Sequence, residues 1–415
     1  MTTNAVIGLS ISQLQRKTAL SLKIVDICKT AASNVVNVIR QVLAPEARCA
    51  IRNIAKPSRQ RYLNHQLWPM TTLAMKSPTH SNSRTLGMPT LAEVAERAGV
   101  STITASRALR GVATVGADLA ERVRMAADEL GYVANPAART LASARSTSVV
   151  VLIPSLSNQL FIEPLEAIHE VMRPRGIEVL IGDYHYCRDE EERLVRNYLP
   201  YRPMGMLLTG FDRTEGTRHL LNVSRIPCVH MMELSSAPGI ASVGFSQQAA
   251  GEAVAQHLLQ QGRKRLAYIA AQLDPRVMQR GEGFRRTLQA AGVYDPALEL
   301  LHPLPSSIAL GGQLFRELMQ QHPDVDGIFF CNDDLAQGAL FEAQRCGVAV
   351  PGRVALVGFN DLPASAHTVP RLSSIHTPRT EVGREAANLL LKILDGRTAA
   401  PPIDLGFELR VRESS

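Results

Sequence analysis

At 415 residues, with 45% hydrophobic and 20% charged residues, the chain has room for two or three domains and an ordinary globular composition, which excludes a single small module and a wholly disordered or fibrous protein. Apolar runs such as 149–154 reach only five to six residues, against the ~20 a membrane-spanning helix needs, and the six cysteines show no Cys-x-x-Cys pair, so no membrane span, metal site or cofactor is expected and the sparse thiols fit a reducing cytoplasm. Charge is uneven: residues 1–87 hold twelve Lys and Arg against two acids, a balance of +10, so residues 88–415 carry −3 of the total +7.

Residues 1–87 keep neither a period of 2 nor one of 3.6 for long, and no stable fold is expected there. They lack the uninterrupted apolar core of a bacterial signal peptide, because Gly8 and Ser10 break the first apolar stretch. The expectation is an over-extended start with Met75 or Met88 as the natural first residue; a transit peptide or a nonspecific basic arm is the alternative.

Residues 88–146 read as short helices. Leu91, Val94, Ala95 and Ala98 share a face, Gly99 permits the positive φ of a tight turn, and Ser101 is an N-cap for a second helix over 102–109. A third helix over about 118–130 carries Leu119, Val123, Ala126, Ala127 and Leu130 on one stripe and ends at Gly131. Ala95 lets two helices cross closely, and Thr102, Ile103, Ser106 and Arg107 are left facing outward. These are the physical requirements of a helix-turn-helix, whose second helix enters the major groove N-terminus first.

From Thr147 the pattern changes to short apolar strands alternating with amphipathic helices. Strands are expected at 149–153, 177–181, 205–209, 228–231, 266–270, 327–331 and 354–358, with helices at 163–173, 247–261, 281–291 and 334–346 among the stretches between them. Continuous apolar strands in β-α alternation imply parallel sheets covered on both faces, with ligands at the carboxyl ends of strands. So many units imply two α/β lobes with a cleft between them.

The helix-turn-helix stretch, followed by Gly131-Tyr-Val-Ala-Asn-Pro-Ala-Ala-Arg-Thr-Leu-Ala142, resembles the lactose-repressor family of bacterial transcription regulators, and the resemblance runs from Pro89 to about Val411. It implies an all-α helix-turn-helix domain (88–134), a hinge helix and linker (135–146), and an effector-binding and dimerisation domain of periplasmic-binding-protein type (147–415). It further implies a homodimer on near-palindromic double-stranded operator DNA, with Asn135, Ala138, Arg139 and Leu141 in the hinge and Leu141 wedged into the minor groove. Thr102, Ile103 and Arg107 then read bases, while Ser101, Thr104, Ser106 and Asn135 bind phosphates. Ile103 stands where the family often has a polar residue; it can touch a thymine methyl but forms no hydrogen bond.

In the sensor half, Leu152 to Phe161, Asn332-Asp-Asp-Leu-Ala-Gln-Gly338 and Val357-Gly-Phe-Asn360 are further family hallmarks. The resemblance assigns Ser155, Phe161, Arg280, Asn332 and Asn360 to the effector cleft, and Arg276 is added from its place on what reads as the same loop. Phe161 and Phe359 could equally be core residues, and Asn332 could cap a helix. Stretches spread over the sensor half are similar to gluconate-operon repressors, which implies a sugar-acid effector such as gluconate or a keto-gluconate; a neutral sugar or a co-repressor is the alternative. Asn360 stands where many relatives have Asp, and removing that charge beside Arg276 and Arg280 suits a carboxylate. An exported sugar receptor would need a signal sequence and no helix-turn-helix. An enzyme would need a catalytic motif, and no Gly-x-Ser-x-Gly, Walker loop or His-Glu-x-x-His is present.

Overall fold

A computed structural model describes residues 89–133, 146–397 and 401–415. The chain divides into a small unit that includes the first helices and a large unit from Thr147 onward. In the small unit, α1 (Leu91–Ala98) opens with a feature the sequence reading missed: Thr90 and Glu93 form a capping box, which satisfies two of the free N–H groups at the helix start. Gly99 ends α1 at φ 68°, as the turn requires. Helix α2 (Thr102–Leu109) is capped by Ser101, whose side chain accepts from the Thr104 N–H. Helix α3 (Ala117–Leu130) closes the unit, and Val94, Ala95, Ala105, Ala108 and Val123 form its minimal core.

The large unit holds two six-stranded sheets. In the N-lobe, β1 (Ser148–Ile153), β2 (Glu178–Asp183), β3 (Gly205–Thr209), β4 (Cys228–Met231) and β5 (Ala241–Gly244) are all parallel. In the C-lobe, β6 (Leu266–Ala271), β7 (Glu299–His302), β8 (Gly327–Phe330), β9 (Ala355–Asn360) and β10 (Ser373–His376) repeat the same plan. Each sheet takes its outer strand from the end of the chain: β11 (Ile403–Asp404) pairs with β5, and β12 (Glu408–Arg410) runs antiparallel to β10. Strand order is therefore 2-1-3-4-5 in both lobes, which puts the reversal of order between β1 and β3 and between β6 and β8.

Strand alternation explains the two-sided burial. Val149, Val151 and Ile153 join one N-lobe core, where α4 (Ile162–Met172) packs, and Val150 and Leu152 join the other, under α5 (Arg188–Tyr198) and α6 (Glu215–Ser224). The C-lobe is covered by α7 (Gln247–Gln260), α8 (Pro275–Ala290), α9 (Ile308–Gln321) and α10 (Asp333–Arg345). Helices α7 and α8 meet so closely that a Cβ on Gly251 would sit 2.0 Å from the Arg280 carbonyl oxygen. The last helix, α11 (Arg379–Leu394), returns to the N-lobe and buries Val382, Ala386 and Leu390 in its core. The chain thus crosses between lobes after β5, before α11 and between β11 and β12. Among the described residues no helix is long and apolar enough to cross a membrane.

The seven expected strands are present, shifted by a few residues at most. Strands β5, β7, β10, β11 and β12 are not apparent in the sequence, because with two to four residues each they are too short to show a period. The expected helix start at Gly281, with a loop before it, differs from the structure. The helix begins at Pro275, capped by Asp274, so Arg276 and Arg280 lie one turn apart on α8 rather than on a loop.

Candidate ligand cleft and nucleic-acid interface

The topology brings the carboxyl ends of both sets of strands to one cleft with a cavity of about 150 Å³, suited to a small ligand rather than an extended chain. Ser155 follows β1, Tyr186 follows β2, Asn332 follows β8 and Asn360 ends β9; Arg276 and Arg280 reach in from α8, and Gln247, Asp274, Ser306 and Asp334 complete much of the wall. Ser155, Arg276, Arg280, Asn332 and Asn360 of the expected set are brought together here. Phe161 is not: it is 2% exposed and belongs to the N-lobe core with Ile153, Ile168 and Met172. Its ring lies in the short turn into α4 and faces the sheet, so the ligand role read for it is corrected.

The two arginines differ electrostatically. Arg276 pairs with Asp274, Nε to Oδ1 at 3.2 Å and Nη2 to Oδ2 at 3.3 Å. Burial opposes the charge on Asp274, yet Arg276, Arg280 and backbone N–H donors hold its carboxyl below the ordinary range. The positive charge of Arg276 is therefore already matched within the protein, which the sequence reading did not foresee. Arg280 has no ion pair among the described residues. Its Nε donates to Gln247 Oε1 at 2.8 Å, its Nη1 to the Cys331 carbonyl at 2.6 Å, and its guanidinium carbon lies 3.7 Å from the centre of the Phe359 ring. At 6% exposure it is a buried cation whose hydrogen-bond partners are all neutral; burial lowers its pKa, and the Asp274 carboxylate nearby offsets that only in part.

Asn332 does both things expected of it: Oδ1 accepts from the Leu335 N–H, capping α10, and from Ser306 Oγ, while the residue lines the cavity. Asn360 adopts φ 100°. Asp334 adds a second carboxylate whose pKa is raised by burial, a group able to accept from sugar hydroxyls. The neighbouring Asp333 is fully buried, accepts from Ser374 Oγ, Ser365 Oγ and the Leu362 N–H, and is pushed up to about 7 by burial. Asp274, Tyr186, Gln247, Ser306 and Asp334 escaped the sequence reading. Asp274 had a usable signal, since Asp followed by Pro is a helix N-cap with Pro at the first helical position.

In the small unit, α2 presents Thr102, Ile103 and Arg107 to solvent, with Thr104 and Ser106 half-buried; Ile103 is 65% exposed. An isoleucine so exposed on a capped helix N-terminus gains nothing from packing within the unit. Arg97 is tied to Glu129 at 2.7 Å, whereas Arg107 has no ion pair among the described residues and remains available to an acceptor outside the chain. Asn135, Ala138, Arg139 and Leu141 lie outside the described residues.

Two family models match the chain: bacterial regulatory proteins of the lacI family over residues 90–135, and a periplasmic binding protein-like domain over residues 255–415. Over 335 residues, 80% of this chain and 98% of the relative, it is 65% identical to the HTH-type transcriptional regulator GntR of Pseudomonas aeruginosa. The crystal structure of transcription regulator GntR from Chromobacterium violaceum is 45% identical with a TM-score of 0.63, covering 65% of this chain and 99% of that one. A LacI-family transcriptional regulator from Silicibacter pomeroyi is 33% identical with a TM-score of 0.74, covering 79% of this chain and 99% of that one.

Proposed function

The chain belongs to the lacI family of bacterial regulatory proteins and is a DNA-binding transcriptional regulator rather than an enzyme, and from that premise we propose that it is a cytoplasmic homodimeric repressor. It holds a near-palindromic operator and leaves it when a sugar acid such as gluconate or a keto-gluconate enters the cleft. The observation that carries the effector class is Arg280. A buried guanidinium with no carboxylate partner is costly, and an anion entering the cleft would convert that cost into charge-assisted hydrogen bonds. Asp274 already satisfies the charge of Arg276, so one carboxylate suffices, and Asn332, Asn360 and Asp334 are suited to the hydroxyls of the polyol. The small cavity agrees with a single-sugar ligand.

At the DNA, Arg107 can bridge guanine O6 and N7, Ile103 can contact a thymine methyl, and Ser101, Thr104, Ser106 and Asn135 fit phosphate contacts. Ala138, Arg139 and Leu141 form the hinge, whose pairing across the dimer requires a two-fold operator. Calorimetry with gluconate, keto-gluconates and their neutral sugar counterparts, run beside a gel-shift release assay, tests this reading. The acids bind more tightly and alone release the operator; tighter binding of a neutral sugar refutes the carboxylate assignment.

A further inference from the structure

Asn360 reaches the cleft from the C-lobe, yet its backbone is held from the N-lobe. Arg379 starts α11, and a Cβ on Gly383 one turn later would lie 2.3 Å from the Pro164 carbonyl oxygen of α4, so the two helices are in close contact. Only 4% exposed, Arg379 donates through Nη1 to the Asn360 carbonyl and through Nη2 to Glu163 Oε1 at 2.7 Å, in the first turn of α4. Thr380 Oγ1 adds a 3.4 Å contact to the other Glu163 oxygen. One guanidinium therefore spans the lobes.

The residue it grips is conformationally unusual. Asn360 at φ 100° and Asp361 at φ 52° form two successive positive-φ residues without a glycine, an arrangement that costs energy and persists only where its surroundings enforce it. Beyond them the chain is clamped, because Asp361 accepts from Arg410 at 2.9 Å and Arg412 at 2.7 Å. Asp361 is thus anchored to the C-terminal segment, while the Asn360 carbonyl is anchored to Arg379. The guanidinium is not fully satisfied either, since its Nε is buried without a hydrogen-bond partner; the bonds to the Asn360 carbonyl and Glu163, with a longer one from Nη1 to Thr377 Oγ1 at 3.4 Å, fix its position.

We propose that Arg379 is the positioning residue that converts occupancy of the cleft at Asn360 into a shift of α4 and α11 against the C-lobe. This rests on the reading of the cleft as an effector site. Arg379 does not line the cavity, so its loss leaves ligand binding by the free protein nearly intact and removes the communication.

The test measures D-gluconate dissociation constants by calorimetry for the full chain with and without operator DNA. The ratio of the two is the coupling, ordinarily about 5- to 150-fold. In Arg379→Ala the ratio falls to within about threefold of unity while the DNA-free constant changes by less than about threefold. Glu163→Gln, which keeps the shape of the N-lobe, lowers the ratio with an unchanged thermal midpoint, and Arg379→Lys, with charge but no fork, falls between wild type and Arg379→Ala. An unchanged ratio in Arg379→Ala overturns the proposal. If wild type binds no gluconate, the effector assignment falls instead, and nitroxide distance measurements between exposed Arg175 and Arg345 sites in the ligand-free protein decide the Arg379 claim. A broadened or displaced inter-lobe distance in Arg379→Ala supports it, and an unchanged one overturns it.

Discussion

Replacing Arg280 by Met keeps a long side chain over Phe359 and deletes a cleft cation that, among the described residues, lacks a carboxylate partner. Two effects on folding oppose each other: Gln247 Oε1 and the Cys331 carbonyl lose donors, at about 1 to 3 kcal/mol each if unpaired, while the several-kcal/mol penalty of burying an ion disappears. The ligand-free variant should therefore remain folded, within about 2 kcal/mol of wild type by these same terms. Ligand binding is not similarly compensated. Losing one charge-assisted hydrogen bond, worth about 1.5 to 3 kcal/mol, weakens gluconate roughly 10- to 150-fold. At a concentration 100 times the wild-type dissociation constant, wild type gains about 2.7 kcal/mol of stability, whereas a variant weakened about 30-fold gains roughly 0.9 kcal/mol. Thermal or chemical denaturation with and without gluconate reads this difference directly. Equal ligand-induced stabilisation of wild type and Arg280→Met would refute the argument that the unpaired guanidinium awaits an anion.

Other perturbations test separate parts of the structure. Arg107→Ala should cost about 1 to 3 kcal/mol of operator binding and relax preference at one base per half-site, whereas Leu141→Ala should weaken all operator variants and reduce bending; gel shifts in which both behave like wild type exclude the helix-turn-helix assignment. Gly251→Ala forces a methyl against the Arg280 carbonyl oxygen and should destabilise by about 1 to 3 kcal/mol, with a parallel loss of gluconate affinity because α8 carries Arg280; denaturation and calorimetry on the same variant must move together. Asp333, whose pKa is pushed up to about 7 by burial, binds its proton more tightly folded than unfolded, so the stability it contributes is present below about pH 4 and is lost as pH rises through 7. Chemical denaturation between pH 5 and 8 should show wild type losing ground to Asp333→Asn as pH increases, and a pH-independent gap between the two would contradict this.

Local signals were legible in the sequence where they were self-contained. The turn of the helix-turn-helix needs one positive-φ glycine and one capping serine, and Gly99 and Ser101 announce both. The central strands are continuous apolar runs because helices cover both faces, so 205–209 and 228–231 were read to the residue. Short strands near the sheet edges, such as Ser373-Ser-Ile-His376, second from the edge, and the outer strand Ile403-Asp404, have no such signature: partners far along the chain define them, and their own composition does not. The cleft was partly legible for the same reason. Asn332, Arg280 and Asn360 sit in motifs that resemble a family, but the neutralisation of Arg276 depends on the Asp274 side chain folding back from a helix cap. Phe161 went astray because an aromatic beside a cleft loop and one beneath it are identical in sequence, and only the direction of the turn into α4 distinguishes them.

The return of α11 and β11 to the N-lobe has a consequence for how the chain emerges from the ribosome. The C-lobe lies mostly within one continuous stretch and needs only β12 and the final residues to finish. The N-lobe begins first yet leaves the outer edge of β5 unpaired and the apolar surface facing α11 uncovered until residues 379–405 have been synthesised. Such an open strand edge over an exposed apolar face is what chaperones bind and what aggregates when they are scarce. Closing it requires ordering a loop that contains the whole second lobe, a slow long-range step. The first lobe to be translated thus stays incomplete until almost the whole chain has been made, and a chain cut short before Arg379 would leave the N-lobe without its last helix and its outer strand.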